Sequence, residues 1–310
     1  MNLQPQHCPI CDRSTPTREW APAQVDFSSL DKFAFSSRKL PEFMHFRLTR
    51  CLICDVVFAN PAPPIDWLMH HYQEAAFASS GESMLAARSY AALVAPLIPS
   101  LPSTTGALDI GAGDGAFLQQ LLHLGFTRVR GVEPSQAPIL MADPGIRPLL
   151  EHGMFTGREV DPESLSLVTC FQTLEHVVQP LDLCRKVADL LQPGGTFLVA
   201  VHNYRAWPAR LLGTRSPIYD IQHLQLYSPS AIRSLLERVG LQRIHVTPLC
   251  NRYPLSYWLR LMPLGKPIKH TLTSLLDRIG WSNRQLSLCP GNLVAFGFKH
   301  DPIQTKESQV

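Results

Sequence analysis

The sequence predicts an α/β protein: a doubly wound, mostly parallel seven-stranded sheet, a small N-terminal four-cysteine zinc module and a helical C-terminal insertion. Three observations carry this. The stretch Ala107–Phe117 leads from apolar residues through alternating glycines into the helix formers Leu118, Gln119, Gln120, Leu121 and Leu122. That is a buried strand, a tight turn and a helix N-terminus. Beyond it, apolar runs alternate with helical patterns, which places successive strands side by side in parallel. Before it stand two Cys-x-x-Cys pairs, Cys8–Cys11 and Cys51–Cys54.

Taken in order, residues 1–62 form the cysteine module, which ends at Pro61-Ala62-Pro63-Pro64. Residues 63–105 are a helical linker region. Its helices are expected near Ile65–Tyr72, with His70, His71 and Tyr72 in the last turn, and near Ser83–Ile98. In the second, Leu85, Ala86, Tyr90, Leu93, Val94 and Leu97 recur at helical spacing. The main domain spans 106–300. Its strands are expected at Ala107–Ile110, Val129–Glu133, Arg147–Leu150, Ser166–Phe171, Thr196–Val201, Gln242–Thr247 and Asn292–Phe298. Its helices run from the glycine turn to Gly125, over Pro180–Leu191, and from Pro229 to Val239, with a tight turn at Gln192-Pro193-Gly194-Gly195. Residues 250–284 read as the insertion, and 301–310 as a polar tail.

A glycine turn at the end of the first strand is where nucleotide-like ligands bind in such sheets, because bare backbone lets the ligand approach. The glycines do not choose the ligand; the acids do. Asp109 precedes Gly111, and Asp114 lies between Gly113 and Gly115. Carboxylates there repel a pyrophosphate but suit an ammonium group and ribose hydroxyls, as in S-adenosylmethionine (SAM). Glu133 ends the second strand about twenty residues on, where a ribose-binding carboxylate is expected.

The two cysteine knuckles, with roughly forty residues between them, offer four thiolates for a tetrahedral zinc site. Four protein ligands make such a zinc structural. Phe27, Phe33, Phe35, Phe43 and Phe46 in the intervening stretch are expected to form a satellite core.

From about Gly106 to Val246 the chain resembles class I SAM-dependent methyltransferases, with their Rossmann-like sheet, and among them the group of ubiquinone-biosynthesis, sugar and natural-product enzymes. Leu108-Asp109-Ile110-Gly111-Ala112-Gly113-Asp114-Gly115, Glu133, Leu174-Glu175-His176-Val177 and Leu190-Leu191-Gln192-Pro193-Gly194-Gly195 carry the resemblance. Arg50-Cys51-x-x-Cys54 with Val57-Phe58-Ala59-Asn60-Pro61 is similar to the zinc-ribbon extension of some members. The resemblance implies that Asp109 with Gly111, Ala112, Gly113 and Gly115 holds the methionine part of SAM, and that Glu133 holds its ribose. It also implies adenine contacts from Met154 or Phe155 and from Phe171 with Gln172.

Methyl transfer needs alignment, exclusion of water and, for a protonated acceptor, a base. His176, His202 and His223 lie at or near carboxyl ends of strands, and Asp220 is placed to orient His223. The insertion interleaves Tyr253, Tyr257, Trp258, Leu259, Leu261 and Met262, then Leu272, Leu275, Leu276, Ile279 and Trp281, with basic residues. It reads as a cap on the sheet edge, as a lid over a hydrophobic or lipid-linked acceptor, or as a peripheral membrane contact.

A net charge of +3 on 310 residues gives no argument for a nucleic-acid partner. No apolar stretch spans a bilayer and the N-terminus shows no leader, so a soluble cytoplasmic protein is expected. The eight cysteines are then metal ligands or reduced core thiols, not a disulfide framework. The expected activity is methylation of a small molecule, most simply at oxygen. An RNA-modifying protein using the knuckles and an NAD-dependent oxidoreductase are the alternatives.

Overall fold

The computed structural model describes residues 2–30, 33–36, 42–77, 81–262 and 264–302. Most of the expected tail, 303–310, lies outside the described residues. Strands β1 (Thr17–Ala21), β2 (Leu48–Cys51) and β3 (Val57–Ala59) form an antiparallel ribbon. Helices α1 (Ile65–Gln73) and α2 (Gly81–Val94) follow. The main domain then runs β4 (Gly106–Ile110), α3 (Ala116–His123), β5 (Arg128–Glu133), α4 (Gln136–Met141), β6 (Leu150–His152) and β7 (Leu165–Phe171). It continues with α5 (Pro180–Leu190), β8 (Leu191–His202), α6 (Trp207–Leu212), β9 (Gln225–Leu226) and α7 (Pro229–Arg238). Last come β10 (Gln242–Pro254), α8 (Leu255–Leu261), α9 (Lys266–Arg278) and β11 (Gln285–Phe298).

Seven strands stand in the order β10-β11-β8-β7-β4-β5-β6. The run from β8 to β6 is parallel; β11 pairs antiparallel with β8 and β10 antiparallel with β11. The strand order reverses between β4 and β7, which opens a crevice at their carboxyl ends. Every residue of β4 and β7 is buried, as a strand covered on both faces requires. Their side chains alternate between two cores. Leu108, Ile110, Val168 and Cys170 pack with Leu181, Val187, Ile232 and Leu235 of α5 and α7. Ala107, Leu167 and Phe171 pack with Ala87, Tyr90, Phe117 and Leu121 of α2 and α3.

The N-terminal ribbon shares its sheet with the main domain, because β3 pairs with β9. Asp55 fastens the same junction. Its carboxylate accepts two hydrogen bonds from Arg205, both 2.6 Å, and one of 2.7 Å from Arg50. Burial opposes its charge, but these donors hold its carboxyl well below the usual range.

Four expectations need correction. The third strand is Leu150–His152, and Arg147–Leu149 before it is a 3-10 turn. The satellite core keeps only Phe35 and Phe46 buried, whereas Phe27 and Phe33 are exposed. Phe27 opens a 3-10 turn and Phe33 lies in a surface turn, while Phe43 is half-buried. The strands expected at Gln242–Thr247 and Asn292–Phe298 extend to Pro254 and back to Gln285, carrying α8 and α9 on a projecting arm. Two of the cysteines, Cys250 and Cys289, form a disulfide across that arm, where strand pairing brings them to a Cα separation of 4.0 Å. Cys170 and Cys184 are buried thiols, as expected.

Candidate active site

The glycine turn folds back on β5, where the Gly111 and Ala112 amides donate to the Val132 carbonyl at 2.9 and 3.1 Å. Gly111, Gly113 and Gly115 all have positive φ, a conformation costly for other residues. A Cβ on Gly111 would collide with Thr173 and one on Gly115 with Ile146, but one on Gly113 would meet nothing within 4 Å. The turn is thus packed on one side and open at Gly113. Glu133 crosses to it from β5: Oε2 accepts the Gly113 amide at 2.8 Å and Oε1 accepts the Ser135 amide at 2.9 Å. Burial raises its pKa against those two bonds. Asp109, 4% exposed, accepts from the Thr169 hydroxyl at 2.6 Å, and burial pushes its carboxyl up to about 7. The Asp114 carboxylate accepts from the Ala116 amide at 3.3 Å, at the start of α3.

Beside the turn lies a cavity of about 220 Å³. Gly111 and Thr173 form part of its wall, Met154 and Phe155 another, Leu68, Met69 and Tyr72 of α1 a third, and His176 with Val177 a fourth. Asp109, Phe171 and Gln172 do not line it. Phe171 stacks on Tyr90 at 4.0 Å and meets Phe117 edge-on at 5.0 Å. Gln172, at φ +51°, leaves its buried Nε2 without a hydrogen-bond partner. A larger, more open cleft near Gln24, Asp26 and Met44 contains none of the motif residues.

The three histidines converge. The rings of His176 and His223 are 5.0 Å apart, and those of His202 and His223 4.8 Å. His176 Nδ1 lies 3.0 Å from the Tyr72 phenol oxygen. His223 Nδ1 lies 2.8 Å from the Ile218 carbonyl, while the Asp220 carboxylate accepts the Gln222 amide at 3.0 Å. His202 Nδ1 meets Asn292 Oδ1 at 2.8 Å. Burial, and then the nearby His223, lower its pKa to about 3, so it stays neutral.

Sequence reasoning missed Tyr72 and Glu175 as members of this group. Tyr72 keeps some surface toward the cavity, yet its phenol is deeply set. Burial first, then the carboxylates of Asp220, Glu133 and Glu175, raise its pKa well above the usual value. Glu175 is fully buried, accepts the His202 amide through Oε1 at 2.6 Å, and leaves Oε2 unpartnered. Burial pushes it up to about 7. Its place in the Leu-Glu-His segment was the available signal.

Cys8, Cys11, Cys51 and Cys54 form a separate buried cluster, their sulfurs all within 4.8 Å of one another. Cys8 and Cys54 are 3.4 Å apart, and Cys11 and Cys51 3.9 Å. Four sulfurs about 2.3 Å from a tetrahedral zinc are themselves roughly 3.8 Å apart, so the spacing fits that ion. The amides of Cys11 and Ile53 point at Cys8 and Cys51 Sγ, each at 3.4 Å, and stabilise negative charge on sulfur.

Known proteins similar to this chain are methyltransferases. The curated relatives include the ubiquinone biosynthesis O-methyltransferase of Aliivibrio fischeri (strain MJ11), 27% identical, with 48% of this chain and 71% of that protein covered. Its counterpart in Cupriavidus pinatubonensis is 29% identical, with 48% and 67% covered. Among solved structures, a SAM dependent methyltransferase from Archaeoglobus fulgidus aligns at 13% identity and a TM-score of 0.47, over 76% of this chain and 100% of that one. The family model described as a methyltransferase domain matches residues 83–246, more than half of the chain. The chain therefore belongs to the methyltransferase-domain family and is a class I SAM-dependent methyltransferase.

Proposed function

We propose that this enzyme methylates an oxygen of a small-molecule acceptor of quinone-like, sugar or natural-product type. The observation that carries the reading is the cavity itself. It is walled mainly by apolar side chains, and it runs from the glycine turn on one side to His176 on the other. The printed names of the curated relatives, ubiquinone biosynthesis O-methyltransferases, support oxygen as the target atom.

The residues suit the methyl donor. Gly113, with open space where a Cβ would stand, admits a ligand against the backbone. Asp109, Gly111, Ala112, Gly113 and Gly115 hold the methionine end, and Glu133 takes the ribose hydroxyls with lone pairs beyond those given to the two amides. Met154 and Phe155, which wall the cavity, form one side of the adenine site; Phe171, stacked on Tyr90, and Gln172, with its unused amide, lie outside that wall. Bound there, SAM supplies an electrophilic methyl group on a sulfonium whose departure leaves a neutral thioether.

His176 is the base. With a proton on Nδ1 donated to the Tyr72 oxygen, Nε2 takes the acceptor's proton as oxygen attacks the methyl carbon. His223 stands behind it, with Asp220 in the same loop. Apolar walls from α1 exclude water from the transfer. We further propose a structural zinc on Cys8, Cys11, Cys51 and Cys54. In this reading residues 1–62 form the zinc module, 63–105 the linking helices and 106–300 the catalytic domain.

Incubation of the purified protein with methyl-labelled SAM and a panel of catechols, hydroquinones and sugars tests the reading. Label in an aryl or alkyl methyl ether is expected. Label found on nitrogen or carbon overturns the choice of oxygen.

A further inference from the structure

We propose that the arm formed by residues 250–289 docks the protein on an anionic phospholipid bilayer, lying in the headgroup plane. The arm leaves the sheet as the outer ends of β10 and β11, which the Cys250–Cys289 disulfide ties together at its base. Between those ends it carries α8 and α9. Trp258 and Leu259 are buried and anchor α8, with Trp258 Nε1 donating to the Leu286 carbonyl at 2.9 Å.

Helix α9 does not bury its apolar side. Ile268, Leu272, Leu275 and Ile279 recur at spacings of four, three and four, so they share one face. They are 53%, 36%, 52% and 49% exposed. Leu261, Met262 and Trp281 next to the helix ends are also exposed. A contiguous apolar stripe of this kind on a water-soluble surface marks a docking site.

Charge identifies the occupant. Residues 250–289 hold Arg252, Arg260, Lys266, Lys269, Arg278 and Arg284 against the single acid Asp277, although the whole chain nets only +3. Asp277 accepts a hydrogen bond from the Ser282 hydroxyl. Arg260 and Arg284 lie over the rings of Tyr257 and Trp281, with their charge at the edge of the apolar surface. A second copy docking by the same face would bring two cationic arms together, and like charges across an interface are repulsive. An anionic bilayer satisfies both features: acyl chains take the leucine and isoleucine stripe, and headgroups take the arginines and lysines.

The arm is also placed for use by the active site. Where β11 returns to the sheet, the Gly291 carbonyl accepts the Asn203 amide at 2.9 Å. The next residue, Asn292, meets His202 of the histidine group at 2.8 Å. Helix α6 packs against β11 in the same region and exposes Trp207 and Leu211. The arm therefore springs from the end of β11 that adjoins the histidine group, an origin that suits an acceptor drawn from the bilayer. Docking itself does not depend on the identity of that acceptor.

Vesicle flotation of the full chain tests the proposal. Vesicles of phosphatidylcholine containing about one-third phosphatidylglycerol should carry the protein at least ~10-fold better than phosphatidylcholine alone, and raised salt should reduce the difference. Leu272→Ser with Leu275→Ser, and separately Arg252→Glu with Arg278→Glu, should each lower the bound fraction severalfold while SAM affinity measured by calorimetry stays unchanged. Equal flotation with both vesicle types, or none with either, overturns the proposal. So does concentration-dependent dimerisation without lipid that the same leucine substitutions abolish, or binding of the arm to RNA without flotation.

Discussion

The phenol oxygen of Tyr72 and Nδ1 of His176 meet at 3.0 Å, joining helix α1 to the loop beyond β7 across 104 residues of sequence. The contact seats an N-terminal helix over the catalytic crevice. Its neighbour Ser135, from the loop after β5, donates its hydroxyl to the Tyr72 carbonyl at 2.6 Å. One residue of α1 thus touches both the loop that follows Glu133, proposed to hold the ribose, and the histidine proposed as base.

Removing the phenol hydroxyl tests the role of that contact. Tyr72→Phe keeps the ring and its packing against Phe35, so the fold and SAM binding should persist. A general base that loses its orienting partner loses part of a contribution of roughly 10²–10⁴ in rate. We expect kcat to fall at least ~10-fold, with the SAM dissociation constant within about twofold of the parent. Steady-state kinetics paired with calorimetry checks this, and an unchanged kcat with an unchanged pH–rate profile refutes it.

The glycine turn separates ligand effects from folding effects. Gly113→Ala meets only the left-handed backbone penalty, about 1 kcal/mol, because no atom lies within 4 Å of the new Cβ. It should nevertheless block SAM, since that open space is where the ligand belongs. Gly115→Ala adds a 2.5 Å approach to Ile146 Cγ2 and should lower the thermal midpoint further. Thermal melts with and without SAM distinguish the two. A Gly113→Ala protein that binds SAM normally would move the ligand away from the turn.

Which features were legible in the sequence follows from where the physical signal is local. Strands β4, β7 and β8 carry runs of buried, mostly apolar residues, and β5 sets exposed Arg128 and Arg130 against buried Val129, Gly131 and Val132, so pattern alone locates them. Strand β6 is three half-exposed residues at the sheet edge, with no apolar run to read. The outer half of β11 is exposed at Gln285–Pro290, so its length is set by pairing with β10. The Cys250–Cys289 bond depends on that pairing and carries no spacing signal. In the site, the glycines and Glu133 are fixed by one βαβ unit and could be placed from their separation. Tyr72 could not, because an apolar-faced helix predicts burial but not the element it buries against. The His176, His202 and His223 group was visible only as three separate strand ends.

Metal removal provides a test of the N-terminal module. Purified protein should contain about one zinc per chain, the stoichiometry of a four-cysteine site. Chelation, or Cys51→Ser, should expose the β1–β3 ribbon to proteolysis and lower the melting temperature, because metal-binding energy is folding energy in such modules. The loss should spread to β9, which pairs with β3, and hydrogen exchange at Gln225 and Leu226 would report it. Metal-free protein with undiminished stability would remove zinc from the structure.

Glu175 gives the sharpest pH prediction. Its carboxyl is fully buried and pushed from an ordinary value of 4.5 up to about 7, because burial disfavours the charge. Between those two values the folded chain retains a proton that the unfolded chain has released. Fewer protons on the unfolded state mean that stability falls as pH rises, by up to ~1.4 kcal/mol per pH unit for one group. The stabilisation is therefore complete below about 4.5 and gone above about 7. Asp109 contributes in the same direction, since burial raises it to about 7 as well. Glu175→Gln removes one titrating group while keeping an acceptor for the His202 amide. Urea midpoints measured from pH 5 to pH 8 should then decline less steeply in the variant than in the parent. The difference between the curves belongs to Glu175 alone, because Asp109 is present in both. Parallel curves would show that Glu175 is already ionised in the folded protein, with a partner on Oε2 that offsets its burial.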